Sequence, residues 1–485
     1  MSYIAQIPPL TILLFASVII RRLLFDPLLG IPGPWTARIF GFYEFYHNIW
    51  RDGEWCKTFP ELHKRYISLL LSKKHHEVST ERWASIFRLG TDFYKDESFY
   101  TCADNHGSVF SLSDRDEHRE RRKVLAPRFS KQAAELTAPK IRARLQDLRE
   151  GCNITDLFRA VAINWVADTF LGDCGDWVNY EARKPDMLED IDGLSALIPT
   201  LRFFPYLATL NSLLPSSVAN YLTPSAVAGF KKICKDRTRP LLNTPTKDIA
   251  ARMDASVADF LIFHWREITG KPPTLDYLAE EAFTFIDAGV DTTGGTLVTA
   301  VYHAKNTDID PRKLGELPYL NAIINESHRI WPAIPGPLPR VVPPAGINIG
   351  SYFIPGGTIV SATHHSLHYN ETIFPEPHKF KPERWLKEEK WEGGRYLNPY
   401  SRGTRACIGI NLAQMQLRLT LSHLFAQYEL ELCDPVPARH EWKDHFVAHP
   451  KKPIFVKLRE RKGQVESVVQ SCDEEGKGCE TKFVM

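Results

Sequence analysis

Residues 400–409 read YSRGTRACIG, with Cys407 between Gly403 and Gly409 and with Arg402 and Arg405 just before it. A core cysteine keeps apolar company; this one sits in a glycine-rich, cationic loop. The segment that follows, IGINLAQMQLRLTLSHLF, places Ile408, Leu412, Met415 and Leu419 at the spacing of one helix face. Cys407 is therefore expected at a helix N-terminus, where the dipole and the free N–H groups favour a thiolate. Such a thiolate serves as a metal ligand or, given a histidine base, as a nucleophile. The two glycines allow tight turns and the approach of a flat object, and the arginines suit a ligand that carries carboxylates.

A second segment, AFTFIDAGVDTTGGTL at 282–297, lies in a helical pattern. Leu275, Leu278, Ala282, Phe285 and Ile286 give its apolar face, and Thr274 can cap it. Ala288, Gly289, Asp291, Thr292 and Thr293 interrupt that face. The Thr292 hydroxyl can bond the Ala288 carbonyl four residues back and open the helix locally, and Gly289 lets another group come close to the backbone. An acid and a hydroxyl at such an opening suit proton delivery. In PYLNAIINESHRI, Glu326 and Arg329 lie three apart on one helix face and can pair. Arg384, in Lys381-Pro382-Glu383-Arg384-Trp385, is placed to join them. In EHRERRK, His118 and Arg122 lie four apart and can meet one anion, although the same pattern serves a plain basic face.

The elements that must carry these groups are mostly helical, with patterns around 115–150, 155–171, 186–240, 275–305, 318–330 and 408–428. Strand-like runs are few and fall between 337 and 363, as in Arg340-Val341-Val342 and Tyr352-Phe353-Ile354. The fold class expected is mainly α with a small β-sheet region, in one large domain over 35–460. Residues 1–22 read as a membrane anchor, uncharged until Arg21 and Arg22, and the arginine pair places the bulk of the chain in the cytosol. Residues 23–34, with Ile31-Pro32-Gly33-Pro34, read as a stiff hinge, and 461–485 as a polar tail. A net charge of +2 gives no case for nucleic-acid binding. Nine scattered cysteines without a C-x-x-C pair speak against a disulfide framework and a zinc site.

Together these segments resemble the cytochrome P450 family of haem-thiolate monooxygenases over most of 31–460. The family's cysteine signature, F-x-x-G-x-R-x-C-x-G, is matched by Tyr400, Gly403, Arg405, Cys407 and Gly409, with tyrosine in place of phenylalanine. The oxygen-binding A-G-x-D-T-T run is matched by Ala288, Gly289, Asp291, Thr292 and Thr293, the E-x-x-R pair by Glu326 and Arg329, and the P-E-R-F-like motif by Arg384. The resemblance implies haem b with Cys407 as axial ligand and Asp291 and Thr292 relaying protons to dioxygen. It implies a buried triad of Glu326, Arg329 and Arg384, and haem propionates met by His118, Arg122, Arg340 and Arg405. It further implies O2, a lipophilic small-molecule substrate, a separate NADPH–cytochrome P450 reductase, and residence at the endoplasmic reticulum membrane. Arg119, Arg121, Lys123 and Arg402 are candidates for the reductase's docking face. The texture of ELHKRY, EHRERRKVLAPRFS and PGPLPRVVP is similar to fungal secondary-metabolism members of the trichodiene oxygenase-like group, which suggests a terpenoid. Phe110, Phe203, Phe204, Phe285, Trp331 and Ile334 are apolar enough to line its pocket or the core equally.

The chain departs from the family at two places. HAKNTDIDPRKLGELPYL crosses directly from the threonine helix to the glutamate helix, where the family places one or two further helices, and ISLLLSKKHHEVST replaces the usual Gly-Pro and strand after Tyr66. Two other functions stay open on the sequence: an O2-independent haem-thiolate isomerase or dehydratase, and a haem-deficient, non-catalytic family member.

Overall fold

The computed structural model describes residues 41–66, 69–70, 76–78, 80–102, 105–145, 152–172, 186–204, 225–243, 255–306, 317–386 and 392–461, with a few positions between 17 and 34. The helices that build the site are α1 (Arg115–Leu125), α2 (Lys131–Leu145), α3 (Ile154–Leu171), α4 (Asp186–Phe203), α5 (Ser225–Thr238), α6 (Val257–Thr269), α7 (Leu275–Asn306), α8 (Leu317–Ile330) and α9 (Ile410–Gln427). At 1.5 Å per residue, the 32 residues of α7 span about 48 Å. It runs through the centre of the described fold.

Local chemistry sets the ends of these elements. The Asp114 carboxylate accepts from the Glu117 N–H and caps α1, and Thr274 Oγ1 accepts from the Tyr277 N–H, as its place before α7 predicts. Helix α6 carries a capping box between Ser256 and Asp259 and stops at Gly270 in the left-handed conformation. Helix α3 is buried on nearly every side, as its apolar composition requires. It packs along α7, and three glycines of α7 make that approach and a neighbouring one possible. A Cβ at Gly289 would collide with Val166, one at Gly294 would press on Arg159, and one at Gly295 would meet Trp331. At Gly289 the place of a Cβ is taken by Val166 of α3.

The strands are β1 (Leu69–Leu70), β2 (His76–Val78), β3 (Tyr94–Lys95), β4 (Cys152–Asn153), β5 (Arg340–Val341), β6 (Ile347–Ile349), β7 (Tyr352–Ile354), β8 (Ile359–Ser361), β9 (Tyr428–Leu432), β10 (Trp442–His445), β11 (Val447–Pro450) and β12 (Phe455–Glu460). They form a five-stranded sheet in the order β1-β2-β8-β5-β3, a three-stranded sheet β4-β12-β9, and the hairpins β6–β7 and β10–β11. The segment after Tyr66 keeps a strand pair, since Leu69 and Leu70 pair antiparallel with Val78 and Glu77. The C-terminal strands β9–β12 and helix α6 lie outside the elements expected from the sequence.

Among the described residues, no helix is long and apolar enough to cross a membrane. Most of the expected 1–22 anchor, and all of 307–316, where the family's extra helices would sit, fall outside the described residues.

Candidate active site

Cys407 closes a loop whose shape is set by backbone bonds: its N–H donates to the Tyr400 carbonyl at 2.8 Å, and the Ala406 N–H donates to Gly403 O at 3.1 Å. Gly403 has a φ of +74°, and a Cβ there would strike the carbonyl oxygens of Phe87 and Arg88. This glycine therefore admits another stretch of backbone. Gly409 has room for a Cβ, 3.9 Å from the Cys407 sulfur, and its contribution is an N–H that bonds the sulfur. Cys407 lies deep in the molecule, yet its side chain keeps an open face. Burial pushes the thiol above its ordinary range, against the pull of the Gly409 N–H and the Arg122 guanidinium. The helix end alone does not ionise this sulfur, and full deprotonation is what a coordinated metal brings about.

Five basic groups converge beside the cysteine. Arg122 Nη1 donates to Ala406 O at 2.6 Å. Arg405 donates to the carbonyls of Leu112, Ser113 and Asp114 at 2.6, 3.0 and 3.0 Å. Arg340 donates to Tyr100 Oη at 2.7 Å and Pro339 O at 2.8 Å. His118 is buried on α1. The fifth, Lys95 on β3, is absent from the sequence reading; it is buried, donates to Phe110 O, and lies over the Tyr100 and Phe110 rings at 4.1 and 4.4 Å. The group repels itself. Burial and the charges of Arg340, Arg405 and Arg122 hold Lys95 well below the usual lysine range. Burial and the same neighbours, with Lys95, push His118 down to about 3. Burial and Arg340 push Arg405 down to about 10, against the pull of Asp114. Cations so crowded fit a dianionic ligand, and the two propionates of a haem have that charge.

Helix α7 opens inward near its middle. Ala288 is exposed and Asp287, Gly289 and Thr292 are partly so, in a helix otherwise buried from Glu281 to Thr299. Thr292 Oγ1 donates to Ala288 O at 2.7 Å, as its spacing predicts. Ile408, beside Cys407, packs against the apolar cluster that contains Ile286 and Val290 of α7. An open thiol, an opening in a central helix and an uncompensated cationic cluster fit a thiolate-held haem. Asp291 is buried, with Arg159 Nε on its Oδ1, while Arg159 Nη2 reaches Asp192 at 2.6 Å.

Behind the cysteine loop, Glu326 and Arg329 are fully buried. Arg329 grips both carboxylate oxygens at 2.8 and 3.0 Å, and Arg384 Nε donates to Oε1 at 3.2 Å. The Lys381 N–H and Trp385 Nε1 also donate to Glu326, each at 2.9 Å. Arg329 Nη1 donates to the carbonyls of His368 and Pro377 at 3.2 and 2.7 Å. His368 Nε2 in turn accepts from the Asn398 N–H at 3.3 Å, two residues before Tyr400. The Tyr400 hydroxyl, which a phenylalanine would lack, lies 3.1 Å from His328 Nε2 and accepts from Gln414 Nε2 at 3.1 Å, joining α8 to α9.

Other sequence candidates lie elsewhere. Arg121 is largely buried and paired with Glu281 at 2.5 Å, so it is no part of a docking face, whereas Arg119, Lys123 and Arg402 are exposed. Trp331 is fully buried and stacked on His440 at 4.5 Å. Phe285 stacks against Phe129 and Phe170 at 5.0 and 5.2 Å. Both are core. Phe446, in the β10–β11 turn with φ +81°, meets Phe110 at 5.8 Å and the Arg202 guanidinium at 4.2 Å.

The family model described as Cytochrome P450 matches residues 302–458. The chain is 62% identical over 487 aligned positions to cytochrome P450 monooxygenase hkm5 of Aspergillus hancockii, covering 93% of this chain and 94% of the relative. It is 29% identical to cytochrome P450 monooxygenase phqM of Penicillium fellutanum, over 89% of this chain and 87% of that one. It is 30% identical to cytochrome P450 monooxygenase ankB of Aspergillus thermomutatus, over 90% of each. The alignment with the Aspergillus hancockii protein has more positions than this chain has residues, so that relative carries residues without a counterpart here.

Proposed function

The chain belongs to the cytochrome P450 family and is a P450 monooxygenase with a thiolate-held haem as cofactor, and on that premise we propose that it inserts one atom of O2 into a hydrophobic small molecule of fungal secondary metabolism, such as a terpenoid. The crowding of Lys95, His118, Arg122, Arg340 and Arg405 beside the open thiol of Cys407 is the observation that carries the assignment of this site. When bound, the haem supplies the activation of O2 that side chains lack. Cys407 would hold the metal, and Lys95, Arg122, Arg340 and Arg405, with the His118 ring beside them, would hold the propionates. Thr292 Oγ1, donating to Ala288 O and open to the interior, turns from that carbonyl to pass a proton inward. Asp291 restores it, and Arg159 fixes Asp291 in place. The acid–threonine pair favours oxygenation over an O2-independent isomerisation. The apolar flanks Phe283, Ile286 and Val290 keep water from the opening.

Residues 1–22 anchor the chain in the endoplasmic reticulum membrane, 23–34 set the hinge, 35–460 form the catalytic domain in the cytosol, and 461–485 form a polar tail. Electrons come from a separate NADPH–cytochrome P450 reductase that docks on exposed cations including Arg119, Lys123 and Arg402. The test is the reduced, CO-bound difference spectrum of microsomes holding the chain. A strongly red-shifted Soret band that disappears in Cys407→Ala is expected. An unshifted band, or one that survives the substitution, overturns the assignment. Oxygen-18 incorporation from labelled O2 into product then separates oxygenation from isomerisation.

A further inference from the structure

Asp291 is reached from the protein surface by three side chains with no part in the scheme above. Asp52 lies in the turn after Trp50 with a left-handed φ of +52° and a side chain 60% exposed. Its Oδ1 lies 2.6 Å from His445 Nε2, and its Oδ2 accepts from Lys443 Nζ at 2.9 Å. The His445 side chain is 5% exposed, and its ring centre is 5.6 Å from that of His449. His449 Nε2 is buried without a hydrogen-bond partner, 3.6 Å from Asp291 Oδ2. Arg159 occupies Asp291 Oδ1, which leaves Oδ2 on the histidine side.

The fold sets this order. In the β10–β11 hairpin, Lys443 pairs with His449 and His445 with Val447, so these side chains share one face. The Asp52–Gly53 turn is fastened to that hairpin. Gly53 O accepts from the Asp444 N–H at 3.0 Å, and a Cβ at Gly53, whose φ is +81°, would strike the Asp444 backbone. A left-handed aspartate persists where its surroundings over-determine it, and such strain gathers at functional sites. Beside Asp291 a small cavity lined by Arg159, Ala448, Pro450, Trp331 and His440 has room for one water. Trp331 Nε1 and His440 Nε2 are buried and unpartnered there.

We propose that Asp52, His445 and His449 form a proton relay from solvent to Asp291, entering the active site through the β10–β11 hairpin. The proposal rests on the P450 reading and adds to it. Each turnover sends one atom of O2 to water and takes up two protons with two electrons from the reductase. The relay moves protons only. A solvent proton enters at the Asp52 carboxylate and passes to one nitrogen of His445. That ring releases a proton from its other nitrogen to His449, and His449 releases one from Nε2 to Asp291 Oδ2. Each ring gains one proton and loses one. Neutral imidazoles are needed, and burial holds both rings below the usual histidine range. His449 is faced by Asp291 on α7, Arg159 on α3, Asp192 on α4, and Lys443 and His445 on the hairpin; His445 is faced by Asp52, Lys443 and His449.

The test compares the parent holoenzyme with Asp52→Asn, Asp52→Glu, His445→Gln and His449→Gln, without added substrate. NADPH oxidation is driven by a P450 reductase and O2 in water and in deuterium oxide. Oxidation of a dye by cumene hydroperoxide, which brings its own oxygen and proton, is followed beside it. Nitrogen-15 histidine titration gives a readout apart from turnover. The relay predicts that Asp52→Asn, His445→Gln and His449→Gln each slow NADPH oxidation about tenfold and raise its solvent isotope effect. Peroxide-driven oxidation and the reduced-CO band stay parental, Asp52→Glu keeps the parental rate, and Asp52→Asn lowers the pKa of His445. Parental rates and isotope effects in all variants overturn the relay, as does an equal loss in the NADPH and peroxide reactions. A parent without the red-shifted band overturns the P450 assignment and the relay with it.

Discussion

Arg329 closes on Glu326 with two bonds of 2.8 and 3.0 Å, and neither side chain exposes any surface. On an exposed helix the same pair would contribute little. Here the Lys381 N–H, Arg384 and Trp385 fill the remaining sites on the carboxylate, and backbone carbonyls fill those on the guanidinium. Removing one partner leaves a buried charge uncompensated, which costs about 3–5 kcal/mol. Glu326→Ala is expected to lower the stability of the folded chain by that amount in denaturant unfolding and to lower haem content per chain. Arg329→Lys is expected to fare little better, because an ammonium cannot reproduce the two-pronged grip or the reach to the His368 and Pro377 carbonyls.

Lys95 gives a prediction with two opposite signs. Without an anion the crowd of Arg122, Arg340, Arg405 and Lys95 destabilises the fold, and the depressed pKa of Lys95 has burial and this repulsion as its causes. With the propionates bound, the same charge is attractive. Lys95→Met is therefore expected to raise the unfolding midpoint of the haem-free chain while speeding haem loss from the holoenzyme. Both are read by thermal unfolding and by transfer of haem to an apo-acceptor. A fall in both midpoint and retention would assign Lys95 to packing against Phe110 and Tyr100 instead.

How much of this was open to sequence reading depends on how local each signal is. Glu326 and Arg329 share a helix face three residues apart, and Thr274 and Thr292 bond within one turn of themselves, so spacing alone predicts their contacts. The capping box at Ser256–Asp259 is equally local, and the S-x-x-D pattern could have announced α6. The alternation that buries Leu430, Val456 and Leu458 is the mark of β9 and β12, but β9 follows α9 without a break and is easily absorbed into it. Lys95 is different: nothing near it in DFYKDESF separates it from a surface lysine, and only the pairing of β3 with β5 brings it beside Arg340. Gly289 announces a close approach but not which element makes it, and Val166 of α3 stands where its Cβ would be. The hairpin histidines face Asp52 across the fold, nearly 400 positions apart in the chain.

Acid stability follows from buried groups. Burial pushes His303 and His328 down to about 4 and His365 and His440 down to about 3. A histidine whose pKa is lowered by folding contributes stability that is present above its unfolded value, near 6.5, and is lost as pH falls toward its folded value. Burial acts oppositely on two acids, pushing Glu281 and Asp287 up to about 7. Their contribution is present below the unfolded carboxylate range and is lost as pH rises through 7. Each group changes stability by about 1.4 kcal/mol per pH unit within its window. Between about pH 6.5 and 4.5 the unfolded chain's excess at these four histidines rises from about two protons to nearly four, while the folded chain holds about two more at the acids. Stability is therefore expected to fall on acidification across that range. His365→Asn and His440→Asn are each expected to flatten the slope of the unfolding free energy against pH, and Glu281→Gln to steepen it. Urea unfolding at half-unit pH steps checks this, and a parental slope in both histidine variants would show that these rings titrate alike in the folded and unfolded chains.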